Sequence, residues 1–224
     1  MNRLFCFFLL LVSVNTFAQQ ENPYGLKVLG LKEYAETVKA DSNNKLVNIQ
    51  QSIPGIKLDI RYAGKNNFTG TAVYDQEVAY ARLPVVNALA EVQKELKKQG
   101  LGLKIYDAYR PYSVTVKFFE IASDKNFVAN PKKGSRHNRG CAVDLTLVKL
   151  KNGKELKMPT EYDSFAAEAS PDNMDLPKKV IKNRDLLIAE MKKQGFTVLY
   201  NEWWHFDFKT WKQFEIMDIP FKEL

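Results

Sequence analysis

The stretch Ser135-Arg136-His137-Asn138-Arg139-Gly140-Cys141-Ala142-Val143-Asp144-Leu145-Thr146-Leu147-Val148 holds the key to the fold. Cys141 to Val148 is apolar with Asp144 embedded, so it reads as a buried strand. His137 stands seven residues before Asp144. In one continuous strand the two would point to opposite faces, so a turn must intervene for them to converge, and Asn138-Arg139-Gly140 can supply it. A carboxylate inside an apolar strand is costly unless it is partnered. An arginine or a metal ion can answer that cost, and the histidine just upstream favours the metal.

Around this strand the other elements follow from periodicity and punctuation. Pro84 to Gln99 reads as a helix, with Pro84 in the first turn, Val85, Leu89, Val92 and Leu96 at helical spacing, and Gly100 as its stop. Leu103 to Ala108 reads as a short apolar strand ending at Tyr109-Arg110-Pro111, and Ser113 to Ala122 as a helix. Lys178 to Gln194 is an amphipathic helix stopped by Gly195, with Val180, Ile181, Leu187, Ile188 and Met191 inward. Phe196 to Tyr200 and Trp203 to Phe208 read as strands joined near Asn201-Glu202. Ile56 to Tyr62 suggests another strand, and Lys151-Asn152-Gly153-Lys154 a turn. Met158 to Asp175 is irregular and long enough to be functional. The segment from Gln19 to Gln50 is a polar lead-in with one helical candidate, Leu31 to Ala40. Helices and strands segregate, which implies an α+β fold with a mainly antiparallel sheet flanked by helices.

The chain has only two histidines. His137 opens the motif above, and His205 closes Glu202-Trp203-Trp204-His205. Two His, one Asp and one Glu form the inventory of a catalytic zinc site, in which three protein ligands leave a position open. His137, Asp144 and His205 are the expected ligands. Glu202 is the expected base, taking a proton from a water that the ion acidifies; ligation by Glu202 is the competing assignment. Asp207 shares a strand face with His205 and can orient its ring. Arg110 can hold an oxyanion or a substrate carboxylate, or serve as a structural arginine bonded to carbonyls. Cys141 reads as a small core residue, with ligation as the alternative.

Composition narrows the rest. The chain has 224 residues and a formal net charge of +7. Asn2-Arg3, the apolar run Leu4 to Val14 and Thr16-Phe17-Ala18 read as an export signal, residues 1–18, with a small-x-small cleavage site. The run is too short to span a bilayer of about 20 residues, so stable membrane insertion is not expected. After cleavage the protein is expected to be periplasmic or secreted, with Cys141 as its single cysteine. The lysines are scattered as on a solvated face, without the basic stripe interleaved with aromatics that nucleic acid needs. The expected organisation is a signal (1–18), a lead-in (19–50) and one catalytic domain (51–224).

Ser135-x-His137-x6-Asp144, followed by Glu202-Trp203-Trp204-His205, resembles the zinc D-alanyl-D-alanine peptidases. It is most similar to the dipeptidases of the vancomycin-resistance type. Asp107-Ala108-Tyr109-Arg110-Pro111 and Asn67-Phe68-Thr69-Gly70 carry the likeness further, so that it covers roughly Ile56 to Phe208. The resemblance implies a fold shared with D,D-carboxypeptidases and the hedgehog signalling domain. It implies one zinc ion on His137, Asp144 and His205, with Glu202 as base and Arg110 stabilising the transition state. It further implies that Ser135 helps bind the substrate carboxylate and that Asp163, with Tyr62 beside it, anchors the substrate ammonium. The implied substrate is a small D-amino-acid dipeptide, D-Ala-D-Ala; partner proteins are not implied. The alternatives are a D,D-carboxypeptidase acting on peptidoglycan stem peptides and a non-catalytic zinc-stabilised wall-binding module. An export signal departs from the cytoplasmic dipeptidases.

Overall fold

The computed structural model describes residues 22–224; the expected export signal lies outside them. In chain order the helices and strands are α1 (Leu31–Ala40), β1 (Leu46–Asn48), α2 (Ile49–Ser52), β2 (Lys57–Leu58), β3 (Tyr80–Arg82) and α3 (Leu83–Lys97). Then come β4 (Leu101–Asp107), α4 (Tyr112–Ile121), β5 (Ala142–Lys149), α5 (Lys178–Lys193), β6 (Phe196–Leu199) and β7 (Glu202–Phe208). The main sheet runs β2-β4-β5-β7-β6, while β1 and β3 form a separate pair. All pairings are antiparallel except β2 with β4. The expected α+β architecture with a mainly antiparallel sheet is the one observed.

β5 is the middle strand, and its residues from Ala142 to Val148 are buried. Helices α3 and α5 pack on each other and on the sheet. Val85, Leu89, Val92 and Leu96 of α3 are fully buried, as their 3.6-residue spacing requires. In α5 the stripe is Val180, Leu187 and Met191, with Arg184 buried among them. Its guanidinium bonds the Asn173 carbonyl and the Asp185 carboxylate.

The segment ahead of residue 51 is part of the same core. Ile49 is fully buried, the Tyr34 hydroxyl accepts the Leu46 amide at 2.7 Å, and Leu29 pairs with the C-terminal Met217. Arg82, also fully buried, ties these parts together. Its guanidinium donates to the carbonyls of Asn44, Arg139 and Glu215 and lies over the Phe214 ring. Burial pushes its pKa down, and carbonyl dipoles take the place of a carboxylate.

Two differences from the sequence-based expectation bear on the site. The strand expected from Ile56 to Tyr62 contracts to Lys57–Leu58, because only these residues pair with Lys104 and Ile105. One more link, from the Asp59 amide to the Ile105 carbonyl, closes the ladder. A 3₁₀ turn over Arg61–Ala63 then carries Tyr62 into the interior. Its carbonyl is satisfied by the Val73 and Tyr74 amides instead of by a strand. β7 begins at Glu202 and not at Trp203, with a register shift at Val198/Leu199 that sets Leu199 opposite Glu202.

The turn that the sequence demanded between His137 and Asp144 is a 3₁₀ turn, His137–Arg139, closed by Gly140 at φ +68°. A Cβ at Gly140 would lie 2.7 Å from Leu46 Cδ2 and 3.4 Å from the Arg82 backbone nitrogen. Gly140→Ala therefore combines left-handed strain with a clash against a filled core. We expect a loss of about 1–3 kcal/mol, read as a thermal midpoint lower by roughly 2–4 °C per kcal/mol. An unchanged midpoint would show that the turn can relax.

Candidate active site

Strand register builds the site. Asp107 of β4 stands opposite Asp144 of β5, and Asp144 stands opposite His205 of β7. The three residues form a row across neighbouring strands, and the 3₁₀ turn before β5 adds His137. His137 Nε2 lies 3.4 Å from Asp144 Oδ1 and 3.2 Å from His205 Nδ1. His205 Nδ1 lies 3.0 Å from Asp144 Oδ1. All three residues are buried, and among the described residues they form a group able to hold a metal ion.

The remaining ring nitrogens are already engaged. His137 Nδ1 faces the Ala108 carbonyl at 2.7 Å, which as a hydrogen-bond acceptor fixes the tautomer that leaves Nε2 unprotonated. His205 Nε2 faces Asp207 Oδ1 at 3.0 Å, the orienting role open to Asp207 from its strand position. The Tyr162 hydroxyl donates to Asp144 Oδ2 at 2.9 Å, leaving Oδ1 for the cluster. Burial alone would lower the His205 pKa, but hydrogen bonds to Asp144 and Asp207 outweigh it and hold it at about 10. Burial would raise Asp144, yet His137 and His205 draw it well below the usual carboxylate range. The cluster thus demands positive charge at one point, which a divalent cation answers. Two imidazole nitrogens and one carboxylate oxygen fit a catalytic zinc set.

Glu202 lies at the first position of β7, its Oε2 3.9 Å from His205 Nδ1, outside the tight cluster. Burial pushes its carboxyl pKa up. Arg110 is buried, and its Nε and Nη2 donate to Asp107 Oδ2 at 3.0 and 2.6 Å. The guanidinium lies over the rings of Phe118 and Tyr62. It is therefore held by a carboxylate and not by carbonyls, and it lines the same cleft as His137 and Glu202. Asp107 was not singled out from the sequence, although its position three residues before Arg110 was a usable signal. Its Oδ1 accepts the Tyr74 hydroxyl and the Ala108 amide. Tyr162 was also missed, and Asn138 was read only as part of the turn. Asn138 clamps the 3₁₀ turn by accepting the Ser135 amide and donating to the Arg110 carbonyl and Thr115; no local pattern announces that role.

Ser135 lines the cleft, and its hydroxyl accepts the His137 amide at 3.2 Å. Asp163 enters from the irregular Met158–Asp175 segment with φ +61°, the one left-handed non-glycine among the described residues. The Tyr62 hydroxyl donates to its Oδ2 at 2.9 Å. Burial, reinforced by the Asp144 charge, pushes its carboxyl up to about 8. The cleft holding all of these groups has a volume of about 410 Å³. Cys141 is a buried free thiol, pushed up to about 12 by burial, and lies outside the cation cluster.

Removing Asp107 would strand a buried guanidinium. Asp107→Ala should cost about 3–5 kcal/mol of stability, the usual consequence of breaking a buried pair. Denaturant unfolding checks this, and a loss under about 1 kcal/mol would mean that Arg110 finds solvent.

The chain matches the peptidase M15 family model described as D-ala-D-ala dipeptidase over residues 42–217. It is 33% identical over 163 residues to a D-alanyl-D-alanine dipeptidase of Escherichia coli strain K12, covering 73% of this chain and 84% of that one. It is 28% identical over 186 residues to a D-alanyl-D-alanine dipeptidase of Enterococcus faecalis, covering 73% and 91%. A solved LD-carboxypeptidase, LdcB, aligns at 22% identity with a TM-score of 0.39, covering 58% of this chain and 61% of that one. With a family model spanning most of the chain, and His137, Asp144 and His205 converging as its α+β sheet places them, this protein belongs to the M15 peptidases of the D-Ala-D-Ala dipeptidase family.

Proposed function

We propose that the protein hydrolyses free D-Ala-D-Ala to two D-alanines, with one zinc ion held by His137, Asp144 and His205. The observation that carries this reading is the meeting in one cleft of the His–Asp–His cluster, Glu202, Arg110 and a half-buried Asp163. Zinc at such a site supplies a Lewis acid for the scissile carbonyl and lowers the pKa of a neighbouring water. Glu202, its carboxyl raised by burial, takes the proton from the attacking water and passes it to the leaving nitrogen. Arg110, fixed by Asp107, directs its guanidinium at the developing oxyanion. The Ser135 hydroxyl, already an acceptor for the His137 amide, keeps its own proton to donate to the substrate carboxylate.

Asp163 is the ammonium anchor in this reading. One of its oxygens takes the Tyr62 hydroxyl, and a cation beside the other offsets the cost of ionising a half-buried carboxyl. A substrate acylated at that nitrogen leaves the anchor unpaired, which a buried polar site penalises strongly. This disfavours stem-peptide trimming. The names of the relatives support the substrate, and the export signal read from residues 1–18 supports a site of action outside the cytoplasm.

The test is alanine release from free and from N-acetylated D-Ala-D-Ala by the zinc-loaded protein, with and without a chelator. We expect chelator-sensitive cleavage of the free dipeptide alone. Cleavage of the acetylated form would move the function to carboxypeptidase action. Glu202→Gln should keep zinc binding, read by metal analysis, while losing at least about 10²-fold in kcat; near-normal turnover would remove Glu202 as the base.

Asp163 also imposes a pH-dependent cost. Its carboxyl sits at about 8 in the folded chain against roughly 3.9 when unfolded. The folded state therefore binds the extra proton, and stability falls as pH rises from about 4 through about 8. In chelator-treated protein, Asp163→Asn should raise the thermal midpoint, by a few degrees or about 1 kcal/mol at pH above 8, with little gain near pH 4. Turnover of the free dipeptide should fall at the same time. A variant less stable than the parent at every pH would contradict the electrostatic account.

A further inference from the structure

Two aromatic rings stand partly in solvent at the mouth of the cleft. Phe127 is 38% exposed and Phe165 49%. They come from separate loops, yet they stack with centroids 4.2 Å apart and planes at 25°. Exposed apolar surface gathered beside a cleft is more often a contact surface than an accident. The stack is the outer end of a continuous aromatic wall. Phe165 meets Phe68 at 6.4 Å, and Phe68 meets Phe118 at 5.1 Å. Phe118 lies under the Arg110 guanidinium and against Tyr62, the residue bonded to Asp163. The wall thus runs from the cleft mouth to the groups assigned to the oxyanion and the ammonium.

This stack also partitions space. Phe127 and Phe165 line the main cleft of about 410 Å³ and a side cavity of about 130 Å³. Asn201 and Glu202 border both cavities, while Asp163 borders only the main one. With the ammonium at Asp163 and the scissile carbonyl beside Glu202, both ends of the substrate's amino-terminal residue are fixed. Its side chain then lies between those two groups, where Phe165, two residues after Asp163, and Phe127 line the cleft together with Glu202.

We propose that the Phe127–Phe165 stack sets the size limit on the side chain of the amino-terminal residue, admitting a methyl group and closing off the side cavity to anything larger. The inference rests on the dipeptidase reading above. Each methylene that a pocket rejects or admits is worth about 1–3 kcal/mol, so a stacked pair of rings at this point separates Ala from Leu.

The experiment compares kcat/KM for D-Ala-D-Ala and D-Leu-D-Ala in the zinc-loaded, full-length protein. Both substrates keep the ammonium, so the contribution of Asp163 cancels. The variants are Phe127→Ala, Phe165→Ala, the double alanine variant and Phe165→Tyr, each with its thermal midpoint measured. Phe165→Leu replaces Phe165→Ala if that variant fails to fold. We expect the parent to prefer D-Ala-D-Ala, the double variant to shift the ratio toward D-Leu-D-Ala by about ten-fold or more, and Phe165→Tyr, which keeps a ring, to behave like the parent. A ratio within about two-fold of the parent's in folded variants that still cleave D-Ala-D-Ala overturns the proposal. So does a parent that already cleaves both dipeptides equally. Absence of D-Ala-D-Ala cleavage by the parent would instead overturn the dipeptidase reading, and this inference with it.

Discussion

The Asp144 carboxylate lies in the middle strand of the sheet at 3% exposure, and its surroundings keep it ionised. An isolated charge there would be prohibitively expensive. His137, His205 and the Tyr162 hydroxyl all turn toward it, and each arrives from a different part of the chain. The strand order places His205 across from it, the 3₁₀ turn brings His137 back over it, and the irregular segment before α5 delivers Tyr162. Much of the topology around the cleft can be understood as the means of compensating this one buried charge. The same arrangement gathers carboxylates around two imidazoles, and that surplus of negative charge is what makes the cluster suited to a cation.

A cluster of this kind works only if its members hold still, and the supporting contacts are largely to backbone. Arg82 gathers carbonyls from the N-terminal segment, the His137 turn and the C-terminal segment. Asn138 joins the same turn to the Arg110 backbone. Ala108, between Asp107 and Arg110, gives its carbonyl to His137 and its amide to Asp107. The ligand loop and the arginine are therefore positioned by one shared network. Groups pre-set in this way lose little freedom when a substrate or ion arrives, so more of the interaction energy reaches the reacting centre.

Asp163 shows the opposite economy. It occupies a left-handed backbone conformation at φ +61°, and burial raises its carboxyl far above the ordinary range. Both features are unfavourable in the free protein. A cation beside the carboxylate would relieve the second of them, which is the physical basis of the ammonium-anchor role proposed for Asp163. The aromatic wall of Phe118, Phe68, Phe165 and Phe127 borders the same cleft.

Much was legible in the chain itself. The spacing of Val85, Leu89, Val92 and Leu96 specified α3, the apolar run around Asp144 specified β5, and segregation of helices from strands specified an α+β sheet. Two histidines, one seven residues before the Asp144 embedded in an apolar strand and one three residues after Glu202, marked the cluster. The need for a turn after His137 followed from the two-residue period of a strand, and Gly140 answers it. What only tertiary structure decided was partnership across distance. That Asp107 holds Arg110, that Tyr162 caps Asp144, that Arg82 is solvated by carbonyls, and that Tyr62 leaves its strand for the interior all depend on which backbone groups other segments leave unsatisfied. The Phe127–Phe165 stack depends likewise on two loops meeting over the cleft. Local sequence encodes periodicity and turn chemistry; it does not encode which distant group will satisfy a buried polar atom, and that is where the chemistry of this site resides.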